Sequence, residues 1–260
     1  MEIADKVAIV TGGGSGIGEA MVRRLASLGA KVLVADVDDE GGRRVVDSVE
    51  GMPGVASFVH VDVTSPAQLA EMVAAAELRY GGLDILHNNA GITVGEGDFK
   101  DASVLRMEAV VRTNLLGPIL GTQAALAALT KSKGIILNTA SASGLRAWTN
   151  DPVYSATKAG VVFFTQALAE QLKPLGIRIN AVCPGVVRTP LVGKSVRVQS
   201  MSDAERQQFE AMMQALPLIE PNEVIDVLID QITNDSLTGE TRLVSRQVLP
   251  AEGLTIGGVI

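Results

Sequence analysis

Six short β-branched runs, spaced by helical stretches, constrain this chain more than any single residue does. KVAIV (6–10), KVLVAD (31–36), ASFVHVDV (56–63), LDILHN (83–88), GIILNTA (134–140) and IRINAV (177–182) read as strands. Helical stretches lie between them near 17–28, 39–49, 66–79, 103–130 and 153–173. Strand–helix alternation of this kind predicts an α/β fold, a parallel sheet with helices on both faces. The strands agree, being apolar almost throughout, as strands buried on both sides must be. With 260 residues, 47% of them hydrophobic, the chain can bury one large core. No Pro/Gly/Ser linker and no internal repeat divides it. The expectation is a single domain over residues 1–260 with an amphipathic flap at about 188–217, where SVRVQSMSDAERQQFEAMMQALP follows a proline-flanked turn.

Composition narrows the partners. A net charge of −7 argues against nucleic acid and against an anionic membrane surface. The longest uncharged stretch, 113–130, contains Thr, Asn, Gln, Gly and Pro and reads as a buried helix, not a membrane span. MEIADKVAIV lacks the basic and apolar regions of a signal peptide. The lone cysteine, Cys183, excludes an internal disulfide and suits a reducing compartment, so a cytoplasmic location is expected. Cys183 reads as a small packed hydrophobe. His60 and His87 sit in separate strands and make no zinc constellation, so no metal is expected.

The first strand runs into TGGGSGIG (11–18) and then a helix. Glycines at 12, 16 and 18 permit a tight turn and let backbone N–H groups approach a pyrophosphate at the helix N-terminus, although no register fits the commoner G-x-G-x-x-G spacing. Such a turn can also serve packing alone. The second strand ends at Asp36, eighteen residues beyond Gly18, near the separation expected of a carboxylate that binds an adenosine ribose. Val37, Asp38, Asp39 and Ser15 offer no cation for a 2′-phosphate, which favours NAD over NADP.

Further marks follow in order: DV at 62–63, NNAG at 88–91, Asn114, the serine of NTASASG at 138–144, YSATK at 154–158 and PGVVRT at 184–189. As a set, with the glycine turn, they resemble the short-chain dehydrogenases/reductases in their short single-domain branch, closely over about residues 1–190 and loosely beyond. The resemblance implies a Rossmann-like doubly wound sheet of about seven strands and hydride transfer to or from a nicotinamide. It implies catalytic roles for Asn114, Ser141, Tyr154 and Lys158. It implies cofactor contacts at Gly12, Ser15, Gly16, Ile17, Gly18, Asp36, Asp62, Val63, Asn89, Gly91, Tyr154, Lys158, Pro184, Val187 and Thr189. Substrate contacts are implied at Ser141, Ser143, Trp148 and Tyr154. Taken alone, Asp62 can simply end a strand and Asn89 can simply hold a turn.

The chemistry has its own logic. A free phenol, with a pKa of about 10, is a poor base near neutrality, and a nearby cation lowers that value. Residues four apart share a helix face, so Lys158 is expected beside Tyr154. Ser141 stands at the C-terminal end of the strand 134–140, the edge where open parallel sheets bind ligands. Ser143 competes for the same role or caps the turn; the family pattern favours Ser141. Asn114 inside a helical stretch costs propensity; the resemblance implies that it kinks the helix and holds a water for Lys158.

The pocket is expected between the segment after Ser141 and the flap, at Leu145, Trp148, Val153, Val192, Met212 and Met213, suiting a lipophilic secondary alcohol or ketone. Ordinary packing explains the flap residues equally well. The tail, ETRLVSRQVLPAEGLTIGGVI, lacks the family's usual V-D-G-G-like close and looks somewhat like the hydroxyprostaglandin-dehydrogenase branch. LLGPILGTQAALAAL and AGVVFFTQALA are apolar around much of their circumference, which predicts a homodimer or homotetramer. The functional expectation is an NAD-dependent oxidoreductase of small-molecule alcohols or carbonyls. The other reading is a dinucleotide-sensing or partner-binding protein without turnover.

Overall fold

Strands β1 (Val7–Thr11), β2 (Lys31–Asp36), β3 (Val55–His60), β4 (Ile85–Asn88), β5 (Ile135–Thr139), β6 (Arg178–Pro184) and β7 (Thr241–Val244) pair in parallel in the order β3-β2-β1-β4-β5-β6-β7. The computed structural model describes residues 1–95, 99–147, 151–193, 198, 201–215 and 218–246. Trp148 and the side chains of Val192, Met212 and Met213 lie outside the described residues. The strand order reverses between β1 and β4, so the crevice beyond the carboxyl ends of these strands is the natural ligand site of a Rossmann-like sheet.

Alternation along the strands builds two cores. Ala8 and Val10 of β1 with Val32 and Val34 of β2 face helix α1 (Gly16–Ser27), through Met21, Val22 and Leu25, and a late helix over Pro221–Thr233, through Val224, Ile225 and Leu228. Ile9, Leu33, Leu86 and Ile136 face the opposite way, onto α3 (Pro66–Tyr80), α5 (Gly117–Ser132) and α6 (Pro152–Leu172), through Leu69, Met72, Leu129 and Leu172. Full burial of each such side chain contributes about 1.5–3 kcal/mol, and a one-residue register slip in β1 would exchange its residues between the two cores and misfit both. The remaining helices are α2 (Asp39–Asp47), α4 (Val104–Val111), α7 (Pro190–Gly193), α8 (Asp203–Ala215) and α9, the helix Pro221–Thr233.

Three boundaries differ from the sequence-based expectation. The strand expected over 56–63 ends at His60, and the Asp62 carboxylate accepts the Thr64 amide at 2.8 Å to turn the chain. The helix expected over 103–130 is interrupted by a π-helical turn, Arg112–Leu116, between α4 and α5. Pro118, at the start of α5, has no N–H to give to the Asn114 carbonyl, so the regular ladder is already broken there. The third difference is the pair α9 and β7, which lies beyond the expected strands and helices; α9 begins with Pro221 and a reciprocal cap between Glu220 and Glu223. In the flap, α8 falls within 188–217, and its side chains from Asp203 to Ala211 are exposed or half-buried. Among the described residues no helix is long and apolar enough to cross a membrane, and no cluster of His, Cys, Asp or Glu is placed to hold a metal.

Candidate active site

Helix α6 sets the centre of the site. Asp151 caps it, its carboxylate accepting the Tyr154 amide at 2.9 Å, and Pro152 occupies the first turn. One helical turn then puts Tyr154 and Lys158 on the same inward face, and both are buried. Lys158 Nζ stands 5.6 Å from the centre of the Tyr154 ring and donates to the Thr139 carbonyl at 2.8 Å. Burial pushes the Lys158 ammonium down to about 8.

The expected depression of the phenol is not what this arrangement produces. Burial pushes Tyr154 up to about 12; a hydrogen bond with the Ser141 side chain pulls the other way, and the charge of Asp151 pushes it further up. Burial dominates because phenolate is denied water on nearly every side. Cys183, likewise driven up to about 12 chiefly by burial, is a protonated packed thiol at neutral pH, as its sequence context suggested.

Ser141 lies just past β5, where it caps a single 3₁₀ turn, Ala142–Gly144. Both the amide and the hydroxyl of Ser143 donate to Ser141 Oγ, at 3.2 and 2.9 Å, and Ser141 Oγ reaches the Pro184 carbonyl at 3.5 Å. Of the two serines, Ser141 is the one whose side chain draws the Tyr154 phenol down, and Ser143 donates to it. Asn114 is fully buried in the π turn. Its Nδ2 donates to the Ile92 carbonyl at 2.7 Å and its Oδ1 accepts the Ile92 amide at 2.8 Å, with a longer bond to Thr157 Oγ1 at 3.4 Å. A Cβ built on Gly91 would lie 3.5 Å from both Asn114 Oδ1 and Lys158 Nζ, so these groups converge on the loop that follows β4.

The turn between β1 and α1 meets the requirements of a dinucleotide cradle. Gly12 has φ +63°, and a Cβ there would approach Ala90 Cα to 2.8 Å. A Cβ on Gly18 would overlap the Gly12 carbonyl. Ser15 stands at the cap of α1 without a side-chain capping bond, leaving the first amides of the helix to an anion. The Asp36 carboxylate accepts the Gly14 amide at 2.8 Å and the Asp38 amide at 3.0 Å, which ties the cradle to the end of β2. Arg44 also reaches the cradle, donating to the Gly14 carbonyl at 2.9 Å, but its charge is matched by Glu19 at 2.7 Å. Thr189 closes the other side: its Cβ and Cγ2 would both lie 3.1 Å from a Cβ on Gly16.

The other expected contacts divide. Ile17 packs against the core, Val63 is buried with its Cγ2 3.0 Å from a Cβ built on Gly117, and Pro184 ends β6. Val187 is buried in a bridge to Ile219. The Asn89 side chain is spent on the turn, donating to the Thr11 and Gly12 carbonyls at 3.0 and 3.2 Å. Sequence reasoning missed a second tier. His87 Nε2 meets Thr139 Oγ1 at 2.8 Å, Thr139 Oγ1 donates to Asn89 Oδ1 at 3.2 Å, and Arg106 holds the Thr93 carbonyl at 2.7 Å. Asp151 alone carried a readable signal, an N-cap residue directly before proline.

Comparison with known proteins agrees with this geometry. Residues 6–200 match the family described as short chain dehydrogenase. The trans-4-hydroxycyclohexanecarboxylate dehydrogenase of Sinomonas cyclohexanicum is 35% identical over 219 residues, 77% of this chain and 84% of that protein. The 15-hydroxyprostaglandin dehydrogenase [NAD(+)] of Rattus norvegicus is 32% identical over 249 residues, 92% of this chain and 90% of that protein. The crystal structure of the 3-ketoacyl-(acyl-carrier-protein) reductase from Brucella melitensis complexed with NADH superposes with a TM-score of 0.82 at 30% identity, covering 93% of this chain and 97% of that one.

Proposed function

The chain belongs to the short chain dehydrogenase family, a family of oxidoreductases, and on that premise we propose that it transfers a hydride between a lipophilic secondary alcohol or ketone and NAD(H), with Tyr154 as acid/base. The observation that carries the reading is the convergence of Tyr154, Ser141 and Lys158 at the carboxyl end of β5, beside the glycine cradle.

Bound NAD(H) supplies the hydride acceptor or donor. Tyr154 moves the proton: its phenolate takes it from the alcohol oxygen, and in reduction its phenol gives it to the carbonyl oxygen. Ser141 holds that oxygen, with its hydroxyl oriented by Ser143. Lys158 supports the phenolate. With the phenol at about 12, ionisation at pH 8 costs about 5 kcal/mol. At neutral pH Tyr154 therefore rests as phenol, the form that donates to a carbonyl.

NAD is favoured by the Asp36 carboxylate, which would repel a 2′-phosphate, and by the neutralisation of Arg44 by Glu19. The relative from Rattus norvegicus carries NAD(+) in its name, and the Brucella melitensis structure holds NADH. The named substrates of two relatives, trans-4-hydroxycyclohexanecarboxylate and 15-hydroxyprostaglandin, are secondary alcohols on largely apolar skeletons. Leu145 and Val153, half-buried beside Ser141 and Tyr154, suit such a skeleton. Exposed Val104, Leu105, Val111, Leu116 and Phe163 on α4, the π turn and α6 support assembly into at least a dimer. The buried lone thiol suits the cytoplasm.

The reading of a dinucleotide sensor without turnover gains from one observation, the phenol at about 12. A panel of alcohols and ketones, followed by NADH absorbance, decides between them. Tyr154→Phe should keep NADH binding and lose turnover by about a thousandfold. Retained turnover in that variant, or none in the wild type across the panel, overturns the acid/base reading.

A further inference from the structure

The loop after β4 is pinned by three side chains from three elements. Asn114, in the π turn, holds both backbone groups of Ile92 at 2.7 and 2.8 Å. Arg106, in α4, donates to the Thr93 and Val94 carbonyls at 2.7 and 3.3 Å. The third is Asp151, whose two carboxylate oxygens are divided: Oδ2 accepts the Val94 amide and Oδ1 the Tyr154 amide, each at 2.9 Å. Asp151 is only 6% exposed. A buried carboxylate is costly, and a capping hydroxyl or amide would have served α6 alone.

We propose that Asp151 is a positioning residue, which fastens the loop after β4 at Val94 to the first turn of α6 and so holds the Tyr154 phenol in register with that loop. The inference rests on the reading of Tyr154 as acid/base. The groups that face the phenol are Ser141 from the turn after β5, Cys183 from β6, and Lys158 and Asp151 from α6 and its cap. Among them Asp151 is a carboxylate, and its charge opposes phenolate. Burial keeps Tyr154 protonated and the Asp151 charge adds to it, while the double clamp keeps the phenol in register with the loop that meets Lys158 and Asn114 at Gly91.

Two substitutions separate clamp from cap. Asp151→Ser keeps a good N-cap on the Tyr154 amide but is too short to reach Val94. Asp151→Asn keeps the size and one acceptor oxygen but removes the charge and cannot accept both amides. The chain has only two tyrosines, Tyr80 and Tyr154, so protein labelled with ¹³C at the tyrosine ζ carbon gives two signals, assigned with Tyr154→Phe. In both variants the Tyr154 signal should begin to titrate about half a unit to one unit lower. The Val94 amide should exchange with solvent at least about tenfold faster, corresponding to the loss of roughly one hydrogen bond, while the Tyr154 amide stays protected. An unchanged tyrosine titration in both variants reduces Asp151 to a helix cap and overturns the proposal, as does unchanged exchange at Val94. Melting curves establish that each variant is folded, and Asp151→Ser carries the test should Asp151→Asn fail to fold. Neither readout needs turnover, so they can fail while Tyr154→Phe still abolishes activity.

Discussion

Lys158 holds its ammonium 5.6 Å from the centre of the Tyr154 ring while donating to the Thr139 carbonyl at 2.8 Å. The position is electrostatically expensive. With the folded value depressed from 10.5 to about 8, the native state binds fewer protons than the unfolded chain between those limits, so stability rises with pH across that window. At pH 7 the full cost, about 3 kcal/mol, is present. Lys158→Met removes it and leaves the Thr139 carbonyl without its donor, a penalty of about 1–3 kcal/mol. The variant should be no less stable than wild type in urea at pH 7, should lack the wild-type gain in stability between pH 8 and 10, and should turn over at least a hundredfold more slowly. Lower stability with retained turnover would show that the ammonium serves the fold and not the reaction.

The glycine cradle makes a steric prediction. A Cβ on Gly18 overlaps the Gly12 carbonyl and comes within 2.7 Å of Asn89 Nδ2, so Gly18→Ala must push the turn away from the loop that carries Asn89. Overpacking of this kind costs about 1–3 kcal/mol. NADH affinity, read by fluorescence titration, should fall at least about tenfold, with a lower melting temperature. Undiminished affinity would separate this turn from cofactor binding.

The proposed preference for NAD rests on Asp36. Its carboxylate accepts the Gly14 and Asp38 amides, which keeps it at the rim of the cradle. Asp36→Ser removes the charge that repels a 2′-phosphate and retains an acceptor. The ratio of NADPH to NADH dissociation constants should fall by about tenfold or more, on the scale of a single close charge pair at the surface. A wild-type protein that prefers NADPH would already contradict the assignment.

How much was legible follows from how far apart the partners are. Tyr154 and Lys158 are one turn apart, and the glycine turn is contiguous, so local spacing was enough to find them. The alternation of apolar strands and helices likewise carried a parallel sheet with helices on both faces, and the family resemblance supplied its doubly wound order. Contacts across long separations had no such signature: His87 with Thr139 is 52 residues apart, Val94 with Asp151 57, and Ile92 with Asn114 22. The cap of α9 was present in PLIEPNE and went unread, and β7 with it. The phenol is the instructive case. Spacing revealed its cation but not its burial, and burial sets the direction of the shift.

His87 supplies an acid-stability prediction. Thr139 Oγ1 gives its proton to Asn89, so it must accept from His87 Nε2–H, which leaves the lone pair on Nδ1. That atom is buried and, among the described residues, has no hydrogen-bond partner. A second proton would make a fully buried cation with nothing to accept from it, and burial accordingly pushes His87 down to about 3. Between pH 6.5 and 3 the unfolded chain binds the proton and the native state does not, so native stability falls as the pH falls through that window. From pH 7 to pH 4 the loss from this one group is about 3 kcal/mol. His87→Gln has no imidazole to charge. Urea unfolding at pH 7 and pH 4 should show the wild type losing about 3 kcal/mol more than the variant over that interval. Parallel losses would mean that His87 is hydrated or paired in solution, and that the brace from Thr139 to the glycine turn is looser than its 2.8 Å and 3.2 Å bonds imply.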